Sequence, residues 1–251
     1  YGTNGFYLPF KQDYTVEGFS TVTWKGTDVS RYIGGVGFQP DMIWVKKRST
    51  SGDHCIWDAV RGVANRIRPN TTAAEDTGAQ LGSFDSDGFS LSGSVFNNDG
   101  VTFVGWNWDM GGSNATNTNG SITSTVRANP TYGQSIVSYT GNAGSNQTVG
   151  HGLSSTPDMV ILRNRSDAAD WNVGHIGLST NEICILNTTS AKVNVTTYGG
   201  GGLGARGATT FTLADGTSNA SNVNISGNTY IAYCFHSVDG YSTVGSYTGN
   251  G

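Results

Sequence analysis

Pro40-Asp41-Met42-Ile43-Trp44-Val45-Lys46-Lys47-Arg48-Ser49 returns later in the chain as Pro157-Asp158-Met159-Val160-Ile161-Leu162-Arg163-Asn164-Arg165-Ser166. Each copy starts on proline-aspartate, runs through apolar residues rich in β-branched side chains and leaves through basic residues into a polar loop, the pattern of a strand and its turn. A unit used twice decides the architecture before any motif is considered. Asn70-Thr71-Thr72-Ala73-Ala74 matches Asn187-Thr188-Thr189-Ser190-Ala191 at the same offset, since 157 − 40 and 187 − 70 both equal 117. A constant offset means that the hairpin and its exit keep their length, as strands in fixed register require. Ile43 and Val45, like Val160 and Leu162, mark the core face. Lys46 and Arg48 correspond to Arg163 and Arg165 on the other face, beside Trp44 and Ile161. Charges retained at equivalent strand positions predict a structural partner, such as an acidic loop, and not a ligand.

Working outward, the first unit opens on Gly18–Gly26, where Ser20, Val22 and Trp24 share one face, and the second on Gly133–Gly141, where Ser135, Val137 and Tyr139 do. A third opening begins at Gly240, with Gly245 inserted as a bulge. The repeated strand turns through a loop (Ser49 to Asp53, Ser166 to Asp170) into a return strand, Cys55-Ile56-Trp57 or Asn172-Val173-Gly174. Further strands are predicted over Phe84–Leu91 and Thr209–Leu213. Each unit closes on an aromatic strand, Thr102, Val104, Trp106 and Trp108 in one and Thr229, Ile231, Tyr233 and Phe235 in the other, predicted at the centre of a sheet. Only Ala59 to Ile67 has room for a helical turn or two, and Gly62 interrupts it.

The expected fold is all-β, two tandem β-sandwich-like domains built from the internal repeat. The first repeat spans 18–110 and the second 133–239. Residues 1–17, with Gly5-Phe6-Tyr7-Leu8-Pro9-Phe10, read as the end of a preceding module and a connector. The Gly/Ser/Thr/Asn-rich stretch 111–132 reads as a linker, with a short edge strand where Ile122, Ser124 and Val126 alternate. Residues 240–251 read as the start of a further repeat or a terminal strand, so that the whole looks cut from a longer polypeptide.

Glycine counts 37 of 251 residues, charged residues are 13%, and 36% hydrophobic residues supply packed cores, which sets the chain apart from a disordered tail. A net charge of −4 with scattered basic residues argues against nucleic acid or an anionic membrane as partner. No apolar run approaches the ~20 residues of a spanning helix. Cys55, Cys184 and Cys234 are an odd number in unlike contexts, which implies no disulfide framework or thiolate metal cluster and predicts buried thiols.

Val36–Lys46, Asp58-Ala59-Val60-Arg61-Gly62, Ser83–Phe89 and Gly120–Val126 resemble a repeated module of bacteriophage structural proteins. The module is similar to tail-fibre and related virion proteins of marine phages, often in tandem and adjacent to concanavalin A-like sandwich domains. The likeness is strongest over 33–133 and looser over 134–240. The second unit departs where Gly174-His175-Ile176-Gly177 replaces Trp57-Asp58-Ala59-Val60. The resemblance implies a location on the extracellular virion surface, other virion proteins as partners, and a homotrimer of the kind fibres form. It carries no catalytic residues.

Several constellations fit chemistry less well than structure. Gly202-Leu203-Gly204-Ala205-Arg206-Gly207 has dinucleotide-fingerprint spacing but precedes a Thr-rich strand where a helix is needed, so a loop is the expectation. Asp53-His54-Cys55 has no counterpart in the second unit, where Trp171 stands for His54. His151 and His236 lack metal-ligand spacing. Asp85-Ser86-Asp87-Gly88 and Asn97-Asn98-Asp99-Gly100 read as turns before they read as cation loops. No catalytic residue, cofactor or metal site is therefore assigned. The aromatic residues offer flat apolar faces to sugar C–H groups, and Trp24, Tyr32, Trp57 and Trp171 are the glycan-binding candidates, with Trp44 beside them. The functional expectation is a non-enzymatic structural and adhesion segment contacting host-surface polysaccharide. The alternatives are a polysaccharide-cleaving sandwich, which needs two carboxylates ~5–9.5 Å apart in a groove, and a capsid-attached decoration protein.

Overall fold

The computed structural model describes residues 17–78, 80–197, 201–214 and 223–250. The lead-in 1–16, with the apolar stretch Gly5–Phe10, lies outside the described residues. The first unit contributes β1 (Phe19–Lys25), β2 (Arg31–Gly34), β3 (Met42–Lys47), β4 (Cys55–Asp58), β5 (Asn65–Arg66), β6 (Asp76–Thr77), β7 (Leu81–Asp85), β8 (Gly88–Leu91) and β9 (Thr102–Trp108). Then come β10 (Ala115–Asn117), β11 (Ser124–Asn129), β12 (Gln134–Thr140), β13 (Gln147–Gly150), β14 (Met159–Asn164) and β15 (Asn172–His175). The chain finishes with β16 (Glu182–Ile185), β17 (Val193–Asn194), β18 (Gly202–Arg206), β19 (Thr210–Ala214) and β20 (Thr229–Phe235).

The fold is all-β and sandwich-like, and the order β1-β9-β3-β4 recurs as β12-β20-β14-β15 within a longer sheet. A three-stranded sheet faces each, β2-β8-β7 in the first unit and β13-β19-β18 in the second. The aromatic closing strands β9 and β20 are central, each paired on both sides. Alternation does the sorting: in β1 Ser20, Val22 and Trp24 point inward while Phe19, Thr21, Thr23 and Lys25 are exposed. Between the first unit's sheets lie Val22, Trp24, Ile43, Val45, Trp57, Phe89 and Phe103. The second unit encloses Val137, Tyr139, Val160, Leu162, Phe211 and Tyr230 in the same way. Gly105 is small for a reason, because a Cβ there would stand 3.2 Å from the Trp24 ring.

The duplicated hydrogen bonds explain which residues the repeat keeps. Asp41 Oδ2 accepts the Met110 N–H at 2.9 Å, and Asp158 Oδ2 accepts the Ser237 N–H at 2.7 Å. Each proline-aspartate thus ties down the chain just beyond the central strand. Asn70 donates to Asp53 at 2.9 Å and accepts the His54 N–H at 2.9 Å. Asn187 donates to Asp170 at 2.8 Å and accepts the Trp171 N–H at 2.9 Å.

The units are tandem in sequence and fused in space. A third core, between the larger sheets, joins Met42, Ile56, Ile67 and Met110 of one unit to Ile136, Trp171, Ile231 and Tyr233 of the other. Partly buried Trp44, Trp108, Ile161 and Phe235 pack against it. The basic residues of β14 and its exit find partners in the first unit's 68–75 loop. Arg163 donates to the Thr72 and Ala73 carbonyls at 2.7 and 2.6 Å, and Arg165 grips Glu75 through two bonds of 2.9 and 2.7 Å. The acidic partner expected for the repeated charges is therefore Glu75 for Arg165, whereas Lys46 reaches only the Gly52 carbonyl.

Four expectations need correction. The stretch 111–132 is no loose linker, since β10 and β11 extend the second unit's sheet, Ser124 pairing with Tyr139 and Asn117 with Ser124. The third opening builds no strand among the described residues, only an isolated bridge between Val238 and Ser242. Gly202–Arg206 is strand β18, paired with β19, where a loop was expected. Cys184 is exposed because β16 turns Ile183 and Ile185 inward and leaves the residue between them outside.

Candidate functional site

β3 and β9 are neighbours, and their register sets Trp44 opposite Trp106 and Met42 opposite Trp108 on the face away from the first unit's core. β1 adds Phe19 opposite Trp108. An aromatic surface results. Trp44 meets Trp106 edge-on with ring centres 6.4 Å apart, and Phe19 leans on Trp108 at 5.0 Å. The second unit covers this surface only in part. Trp106 and Trp108 occupy the same positions in β9 as Tyr233 and Phe235 in β20, yet Tyr233 is fully buried and Trp106 half-buried, so the stacked sheets are offset.

Three hollows meet at Trp44. One of about 510 Å3 runs between the units, lined by Phe19, Met42, Trp108, Met159 and Phe235 among others. A shallower one of about 310 Å3 is bounded by Trp44, His54, Trp106 and Trp108. The largest, about 700 Å3, is closed on one side by Trp44, His54 and Asn70 and on the other by Leu186, Asn187, Thr188 and Thr189. Trp44 Nε1 donates to His54 Nδ1 at 2.9 Å. Burial, helped by the Lys46 charge, holds the His54 imidazole below its ordinary value, so it is neutral at pH 7.

The sequence candidates for sugar contact are dispersed. Trp24 is buried, stacked on Phe103 at 5.3 Å with its N–H on the Phe96 carbonyl. Trp57 lies in the same core against Phe96. Trp171 is fully buried between the units, its N–H on the Arg68 carbonyl. These three rings have no free face for a sugar, since the alternation that makes a strand also turns its largest side chains into a core. Tyr32 is 49% exposed on β2, away from the tryptophan surface. Trp44, by contrast, lines all three hollows. The sequence pattern reads Trp106 and Trp108 as framework residues of a central strand; the signal that sets them apart is their alternation, which places them on the face opposite Phe103 and Gly105.

The remaining constellations are structural. In Asp53-His54-Cys55, adjacent residues face opposite sides: His54 meets Trp44, while Cys55 is in the core, where burial pushes its thiol up to about 12. Asp87 accepts the Gly35 and Gly37 amides and Asp85 the Ser83 and Ser90 hydroxyls, so both carboxylates serve the β2 and β7–β8 turns. His151 accepts the Leu153 N–H and bonds the Gly207 carbonyl. Among the described residues no group of three or more His, Cys, Asp and Glu is arranged to hold a metal ion.

The motif Asp58-Ala59-Val60-Arg61-Gly62 has a clear task. Arg61, fully buried, binds Asp58 at 2.6 Å, Glu75 at 2.9 Å, the Ile56 carbonyl at 3.1 Å and the Tyr233 hydroxyl at 3.2 Å. Burial opposes its charge, but Asp58, Tyr233 and Glu75 outweigh that and hold the guanidinium firmly protonated. Such a network locks the two units together and engages both of its carboxylates.

Searches against curated proteins and against solved structures give no match. Residues 15–251 match DUF7483, a domain of unknown function, and the chain belongs to that family.

Proposed function

We propose that this chain is a non-enzymatic structural and adhesion segment of a phage virion protein, a tail fibre or a similar surface component, that holds host-surface glycan without cleaving it. The observation that carries the adhesion part is the row of half-buried Trp44, Trp106 and Trp108, left open where the second unit stops short. Flat indole surfaces beside a groove suit the apolar face of a pyranose. The virion part rests on the sequence resemblance. The back-to-back fusion of the units supports it, because a shared core and buried ion network make a stiff block suited to a spacer. A polysaccharide-cleaving role needs a free carboxylate pair in the groove; Asp58 and Glu75 are instead held by Arg61 and Arg165.

Gold-labelled antibodies against this chain, viewed on whole particles by electron microscopy, should decorate the virion surface. Incubation with host capsular polysaccharide should give retention and no shortening of the polymer. Unlabelled particles would remove the virion assignment, and depolymerisation lost on mutating one acidic pair would remove the non-enzymatic one.

A further inference from the structure

The hollow of about 700 Å3 is built from equivalent segments of both repeats. Asn70 and Asn187, the matching asparagines, line it together; the residue before each differs, Pro69 against Leu186, and of the threonine pairs that follow both, Thr188-Thr189 lines the hollow. Both amides are oriented. Each Oδ1 accepts a backbone N–H and each Nδ2 gives one hydrogen to an aspartate, Asp53 or Asp170, which leaves each a second N–H. His54 is oriented too. An indole N–H can only donate, so His54 Nδ1 is the acceptor from Trp44 and the neutral ring carries its proton on Nε2.

The lining is thus an indole, an imidazole N–H, two amides and two threonine hydroxyls, with Leu186 and Pro69 as apolar walls and no charged side chain. A volume of about 700 Å3 lies within the roughly 300–1,000 Å3 of small-molecule sites. Fixed neutral donors around an aromatic wall fit a ligand with many acceptor oxygens, apolar C–H faces and no charge. A carboxylated or phosphorylated ligand would find no cation in the lining itself, since Lys46, whose charge reaches His54, stands outside it.

We infer that this inter-repeat cleft binds a neutral oligosaccharide, with Trp44 as the stacking wall and His54, Asn70 and Asn187 as donors to its hydroxyl and ring oxygens. This deepens the adhesion reading and rests on it for biological meaning, but the cleft can be tested on the isolated chain. Thr189 is exposed at the rim, so Thr189→Arg blocks the opening without touching a core, and His54→Ala removes a donor.

Maltotriose, cellotriose, mannotriose and N,N′,N″-triacetylchitotriose are titrated against the 251-residue chain, with trigalacturonic acid as the charged comparison, following tryptophan fluorescence and ligand-observed NMR. At least one neutral trisaccharide should bind saturably, T189R and H54A should each weaken it at least tenfold, and trigalacturonic acid should not compete. Failure of all four neutral probes to bind, binding indifferent to both substitutions, or stronger binding of trigalacturonic acid would each overturn the assignment. Binding that survives T189R but is lost in Trp106→Ala would move the sugar to the tryptophan surface, sinking the cleft and keeping adhesion. Binding in the cleft by a chain that antibodies never find on particles would do the reverse.

Discussion

Tyr233 donates a 2.7 Å hydrogen bond to Asp58 Oδ2, connecting the central strand of the second unit to the return strand of the first. The same phenol accepts from Arg61 at 3.2 Å, and burial keeps it neutral by raising its titration well above the ordinary tyrosine value.

Tyr233→Phe should lower stability by about 1–2 kcal/mol, because Asp58 loses a donor and Arg61 an acceptor in a dry site. Arg61→Ala should cost about 3–5 kcal/mol, since Asp58 is left buried without its cation. Urea denaturation measures both; equal, small losses would show that the network is incidental to the junction.

Ile43→Asp separates two pictures of the repeat. On the sequence alone, the first unit should unfold and the second survive. The core shared by Met42, Ile56, Trp171 and Tyr233 leads to the opposite expectation, a single loss of both. Tryptophan fluorescence reports chiefly the first unit, which holds Trp24, Trp44, Trp57, Trp106 and Trp108, and exposure of Cys234 reports the second. The two signals should coincide along a denaturant series. A Cys234 still protected after the fluorescence has changed would restore independent units.

The three thiols should react at two very different rates. Burial pushes Cys55 and Cys234 up to about 12, while Cys184 is exposed. At pH 8 an alkylating reagent should label Cys184 within minutes and the others only on unfolding. Mass mapping that finds Cys55 labelled early would show that the first core opens locally.

Asp41 makes stability depend on pH in an unusual direction for a carboxylate. Burial pushes it from 3.8 up to about 6, although Arg127 is 2.7 Å away and Met110 N–H also bonds it. The folded chain therefore holds this proton more tightly than the unfolded chain does. Its contribution is complete below about pH 4 and is lost as pH rises through 6, by about 3 kcal/mol at 1.36 kcal/mol per unit. The stability of the native chain minus that of Asp41→Asn should fall by that order between pH 4 and pH 7. A difference flat across this window would mean that the Arg127 pair offsets the burial.

The residues themselves specified the strands, their faces and the duplication. Period-two alternation in Phe19–Lys25 and Thr102–Trp108 needs no tertiary information, because a pleated strand sends neighbours to opposite sides. The shared offset from Pro40 to Asn70 likewise carried the register, and the structure supplies its cause in the matched bonds of Asp41 with Asp158 and of Asn70 with Asn187. The site was less legible. Trp24, Trp57 and Trp171 look as capable of stacking on sugar as Trp44 does, since ring chemistry is the same in a core and in a groove.

Only the tertiary structure decided which aromatic faces stay open, because that depends on how far one sheet overlaps the other. Alternation names two faces for each strand but does not say that the outer face of one repeat is covered by the outer face of the next. Nor does it say that Arg61 would reach Tyr233 across 172 residues of chain. The offset between the stacked sheets leaves Trp44 across a hollow from Asn187 and Thr189, and that juxtaposition, fixed by packing between distant segments, is written in no local pattern.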